Sequence, residues 1–247
     1  MFRKPIRRMT GALLCAALAA CAPVVTHGPR VEPGLFVGAT GGLLLTRDTA
    51  LSPDVVTPQW VPFVRYGRAG MPGGVAGSIA LAWGSAPESP VEADAYVQLP
   101  SGGSEWAYGA GVVASPALLM PYGQIGKPVG RGYEVYTTQA FVRRNDFNDK
   151  RVVLVEAAAT EVRPRYWAPS LALRRRSAGM GFSLQVTGAF GRYDERVRDA
   201  GSSPGETRSH RLRAVTTSLA ADVDVAGFLD DVLRATRRPI PPDNPPR

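Results

Sequence analysis

Cysteine is almost missing from this chain. Cys15 and Cys21 are the only two among 247 residues and both lie near the N-terminus, so neither a disulfide framework nor a cysteine-based metal site can be built across the body of the sequence. Histidine is as scarce. His27 and His210 have neither a neighbouring cysteine nor a helically spaced partner, and no metal is expected. No glycine-rich loop opens a helix, so no phosphate-bearing cofactor is expected either. Long apolar runs are also absent, and no segment approaches the roughly 20 residues of a membrane helix. Apart from Arg174-Arg175-Arg176, basic residues do not cluster, and nucleic acid is not an expected partner.

What is abundant is turn chemistry, with 27 glycines and 22 prolines, and a marked N-terminus. Arg3, Lys4, Arg7 and Arg8 precede an apolar or small stretch from Thr10 to Ala20. A basic region followed by a short apolar region and small residues is the pattern of a secretory signal. Within it, Leu18-Ala19-Ala20-Cys21 resembles the lipobox of bacterial lipoproteins. That resemblance implies cleavage before Cys21, a diacylglyceryl group on its thiol, and a further acyl chain, such as palmitate, on the new N-terminus. Two or three chains give stable anchoring where one is marginal, so membrane lipid is the expected partner of acylated Cys21. Ala22 in place of Asp is compatible, in that family, with the outer membrane. Cys15 would be discarded with the signal, leaving Cys21 as the only mature cysteine. Removing residues 1–20 from 247 leaves 227 residues, and the formal charge of +8 falls to +4 because the segment holds four bases and no acid.

The spacing predicts four regions: a signal peptide over 1–20, a flexible tether over 21–33, a β-barrel over 34–226, and a short helix with a proline-rich, disordered tail over 227–247. The tether is assigned from Pro23, Gly28, Pro29 and Pro33, with His27 solvated inside it. From Gly34 the chain takes up a period of two. The alternation is cleanest over 91–99, where Val91, Ala93, Ala95, Val97 and Leu99 share one face and Glu92, Asp94, Tyr96 and Gln98 the other. Similar runs, joined by Gly-, Pro- and Ser-rich turns, recur to about 225. One ends at Pro164, and a long polar loop is expected over about 195–209. Phe228, Leu229, Val232 and Leu233 then fall at helical spacing. With ten or eleven strands and no helices between them, the fold class is all-β, an antiparallel up-and-down barrel of about 10 strands.

Such alternation suits a soluble barrel, apolar inside, or a membrane barrel, apolar outside. Several polar faces are small and weakly polar, as in Ser183, Gln185, Thr187 and Ala189. Trp60, Tyr66, Trp83, Trp106, Tyr108, Tyr133, Tyr166, Trp167 and Tyr193 lie near strand ends. In these respects residues 34–225 resemble outer-membrane β-barrel proteins diffusely. Against this, the chain ends in a helix rather than an aromatic-ended strand, and a lipid anchor on a spanning barrel is redundant. The expected function is a lipid-anchored, non-enzymatic envelope barrel with a structural, pore or assembly role at the outer membrane, with envelope proteins as possible partners. The alternative is a tethered periplasmic barrel holding a small apolar or anionic ligand in its interior. A third reading, a lipid hydrolase using Ser209, His210 and Glu206, meets the difficulty that adjacent strand residues point to opposite faces. No catalytic residue is therefore assigned. The direction of Arg65, Glu92, Asp94, Glu134, Glu156, Arg174 and Asp222 separates the first two: a spanning barrel turns them inward and Val, Leu and Phe outward.

Overall fold

The computed structural model describes residues 25, 27–46, 58–71, 75–83, 91–116, 118–144, 159–177, 179–198 and 207–236. Ten strands follow one another: β1 (Gly34–Thr46), β2 (Pro58–Met71), β3 (Val75–Ala82), β4 (Glu92–Leu99), β5 (Ala107–Ala114), β6 (Leu118–Gly130), β7 (Tyr133–Arg144), β8 (Ala159–Ser177), β9 (Met180–Arg198) and β10 (Thr207–Asp224). Helix α1 (Val225–Thr236) comes last. Each strand pairs antiparallel with the next, and β1 closes on β10, giving a closed up-and-down barrel. The expected fold class is the observed one. Cys21, Glu156, the start of the tether and the tail beyond Thr236 lie outside the described residues.

Period-two sequence sets the two faces. In β4, Glu92, Asp94 and Tyr96 are buried inside the barrel, while Val97 and Leu99 are exposed outside it. The same parity runs through the neighbours by register: Asp94 lies opposite Ala80 of β3, and Ala95 opposite Ile79. Tight turns close one rim, as at Ser101–Ser104, where Gly102 and Gly103 take positive φ and the Ser104 N–H donates to the Ser101 carbonyl at 3.0 Å. The other rim carries the longer connections between strands.

Two boundaries differ from expectation. Pro164 does not end a strand: β8 runs through it as one element of 19 residues. Pro164 lies past Arg165, the last β8 partner of β7, where β8 is paired on one side only and a residue without an N–H is tolerated. The β8–β9 ladder also skips Ala168 and Pro169. The polar stretch expected as loop over 195–209 is ladder at both of its ends, where Glu195 pairs with Arg208 and Arg196 with Thr207, while residues 199–206 lie outside the described residues.

Candidate functional site

The inside of the barrel is divided by chemistry. Towards the long-loop rim, Leu118, Met120, Val142, Tyr166, Tyr193 and Leu212 form an apolar cluster. Towards the turn rim, Arg65, Asp94, Gln124, Thr138, Arg174 and Asp222 are all buried and inward. Such a polar lining is costly unless its groups find partners; some pair with one another across strands, as Arg174 with Asp222 and Gln124 with Thr138, and others with the chain's own N-terminal segment.

Val25 and residues 27–33 run inside the barrel. Val25 joins the apolar cluster, and His27 is 2% exposed. His27 Nδ1 donates to the Gly28 carbonyl at 2.7 Å, and its Nε2 lies 3.2 Å from the Asp94 carboxylate and 3.0 Å from the Tyr122 hydroxyl. Tyr122 donates to Asp94 at 2.6 Å, so the His27 ring, the Tyr122 hydroxyl and the Asp94 carboxylate form one buried polar cluster. Tyr96 stacks on Tyr122 and donates to the Pro29 carbonyl at 2.9 Å. The Gln124 amide donates to the His27 carbonyl at 3.0 Å, and the Val31 N–H donates to Gln98 at 2.7 Å. Three strand side chains, Tyr96, Gln98 and Gln124, thus hold the segment's backbone, and Tyr122 holds its His27 side chain.

Glu32 ends the segment in a cluster of arginines. Its Oε2 lies 3.0 Å from Arg65, 3.1 Å from Arg174 and 2.6 Å from Arg176. Asp222 shares the same cations, at 2.7 Å from Arg174, 3.6 Å from Arg176 and 3.9 Å from Arg65. Phe36 is packed between the Arg65 and Arg176 guanidiniums, each 4.6 Å from its ring centroid. Close approach of the segment is allowed by glycine: a Cβ on Gly67 would collide with the Glu32 carbonyl, and one on Gly126 would meet the Pro29 ring at 2.9 Å.

The structure therefore sorts the expected residues. Arg65, Glu92, Asp94, Glu134, Arg174 and Asp222 point inward; Val97, Leu99, Leu171, Leu184 and Phe182 are among the apolar residues that point outward, while Leu118, Val142, Leu212, Phe36 and Phe63 are buried inside. The tether expected around His27 is, over its described residues, packed in the lumen, and His27 is buried rather than solvated. The sequence pattern failed here because a proline- and glycine-rich stretch without periodicity looks like a linker whatever surrounds it. Arg174 and Arg176 turn inward to Glu32 and Asp222, and only Arg175 faces out, over the Tyr133 ring at 5.4 Å. Tyr166 and Tyr193 also leave the expected aromatic girdle, being 5% and 1% exposed within the apolar cluster. Tyr66, Trp83, Trp106, Tyr133 and Trp167 do face outward. Ser209 donates to Asp194 and is paired with it across the ladder, while the His210 backbone pairs with the inward Tyr193.

No family model matches the chain, and no curated protein matches it. Among solved structures it is similar to the NanC porin, with 8% identity and a TM-score of 0.39 over 76% of this chain and 100% of that one. It is similar to the KdgM porin, with 6% identity and a TM-score of 0.38 over 76% of this chain and 98% of that one. It is also similar to an outer membrane channel from Pseudomonas putida F1, with 11% identity and a TM-score of 0.44 over 81% of this chain and 98% of that one.

Proposed function

We propose that this chain is a non-enzymatic, membrane-spanning barrel of the bacterial outer membrane, anchored in addition by acylated Cys21, and that its lumen is a conduit occluded by the segment ending at Glu32. One observation carries the proposal, the inversion of the barrel's faces. Outward positions on successive strands are large and apolar, including Ile79, Leu99, Ile125, Leu171, Leu184 and Leu219 at 62%, 48%, 42%, 61%, 45% and 61% exposure. A continuous apolar wall of this kind far exceeds what a water-exposed surface ordinarily carries, whereas a bilayer requires it. The ionised groups inside are shielded from lipid by that wall. Strands of 8 to 19 residues are compatible with the roughly 9–11 tilted residues that cross a bilayer. Outward aromatics near both rims, such as Trp83 and Trp106, suit the two headgroup levels.

The test is physical. The mature chain is expected to need detergent, to insert into vesicles, and to migrate differently on gels before and after heating. A Cys21→Ser version that is fully soluble and monomeric without detergent would overturn spanning. Mass spectrometry of the protein from bacterial membranes tests the acyl chains on Cys21, and an unmodified thiol would remove the anchor from the proposal.

A further inference from the structure

Four arginines form one outward row on the barrel wall. Arg143 of β7 lies directly opposite Arg165 of β8, Arg165 opposite Arg192 of β9, and Arg192 opposite Arg211 of β10. All four are exposed. Among the described residues no ion pair holds any of them. Like charges directly opposite each other destabilise a sheet, and this row contains three such juxtapositions in succession. Closer to the long-loop rim, Asp194 lies opposite Arg163 and accepts the Ser209 hydroxyl. It therefore belongs to the next row.

The row on the other side, towards the middle of the wall, is aromatic. Phe141 lies opposite Trp167, Trp167 opposite Phe190, and Phe190 opposite Arg213. The Trp167 and Phe190 rings are 6.0 Å apart. A groove of about 590 Å³ follows the two rows, lined among others by Arg165, Trp167, Phe190, Arg192, Arg211 and Arg213. The turn rim is arranged differently: Arg175 and Lys127 each lie over a ring of their own, Tyr133 and Trp106.

We infer that this groove binds a lipid whose headgroup carries two or more phosphates, the phosphates on the arginine row and the acyl chains on the aromatic row. The inference rests on the spanning reading, because it needs this wall to face lipid. Guanidinium pairs with phosphate through two parallel hydrogen bonds, which removes the repulsion along the row. Three strand spacings give the row a length of about 14 Å, more than one phosphate group covers. A free anion neutralises the arginines but leaves the aromatics bare, and a neutral lipid does the reverse.

The experiment uses the full chain in neutral detergent micelles with four probes: lipid A bearing two phosphates, lipid A bearing one, phosphatidylcholine and inorganic phosphate. Bound lipid is counted by native mass spectrometry and stability is followed by thermal unfolding. The two-phosphate lipid is expected to bind about tenfold or more tightly than the one-phosphate form and to weaken with salt. In the Arg165→Gln/Arg192→Gln variant that preference is lost. The same variant should unfold at a higher temperature than the parent without lipid, since repulsion is relieved, and at a lower one with the two-phosphate lipid present. Equal binding of all lipids, equal stabilisation by inorganic phosphate, or an unchanged preference in the variant would overturn the inference. Vesicle insertion of the parent is measured separately. Failure to insert removes the spanning reading and this inference with it, whereas insertion with arginine-independent binding removes this inference alone.

Discussion

Glu32 holds three guanidiniums with one carboxylate, and Asp222 shares them. Removing one partner of a buried ion pair costs about 3–5 kcal/mol. Glu32 retains 18% side-chain exposure, so the loss should lie near the lower end or below it, about 2–3 kcal/mol. Gly67 offers a second route to the same contact. Its Cβ position coincides with the Glu32 carbonyl, so Gly67→Ala displaces backbone while leaving every charge in place. Both Glu32→Gln and Gly67→Ala are expected to release the segment and leave the ten-strand ladder intact. Trypsin cleavage after Arg30, monitored alongside heat-modifiable migration, reads the two events separately. Equal protection of Arg30 in the parent and both variants would mean that neither contact retains the segment.

At the scale of elements, the segment before β1 behaves as an eleventh component of the barrel, held by side chains rather than by strand pairing. Deleting residues 22–33 is expected to raise single-channel conductance in planar bilayers, and a synthetic peptide of residues 24–33 added back should reduce it. Identical conductance with and without the segment would show that it does not obstruct the lumen. This element was not legible in the sequence, and the reason is physical. Its partners Tyr96, Gln98, Tyr122 and Gln124 lie 67 to 97 residues away, and nothing local distinguishes a docked proline-rich stretch from a free one. The strands were legible because alternation is local: 91–99 displayed both faces of β4 in nine letters. Boundaries were less so. Pro164 reads as a breaker, yet its strand is unpaired on the β7 side there, and only the register discloses that. The arginine triplet was readable as a basic run, but parity places Arg174 and Arg176 on the inner face with Glu32 and Asp222, and leaves Arg175 alone outside.

For the whole molecule the deciding quantity is what the wall faces. An inverted barrel is consistent at every level: period-two strands put ionised groups inside, the N-terminal segment neutralises part of them, and closure of β1 on β10 leaves no open edge. The same wall in water would present its apolar band to solvent with no compensating burial. A charge placed on it separates the two situations by sign. Leu171 is 61% exposed and sits midway along β8 between the outward Trp167 and Arg175, opposite Val186 of β9 and Thr137 of β7. If lipid surrounds the barrel, Leu171→Arg near the midplane costs about 2–4 kcal/mol, while Tyr133→Arg at the turn rim costs about 0–1 kcal/mol. If water surrounds it, both substitutions are near neutral, and Leu171→Arg improves solubility. Urea titration of folding into phosphatidylcholine vesicles, followed by the heat-modifiable band, measures both variants on one scale. A destabilisation at Leu171 several times that at Tyr133 is the expected result, because depth in the bilayer sets the cost of an outward cation. Equal effects at the two depths would place the wall in water and exclude the spanning barrel.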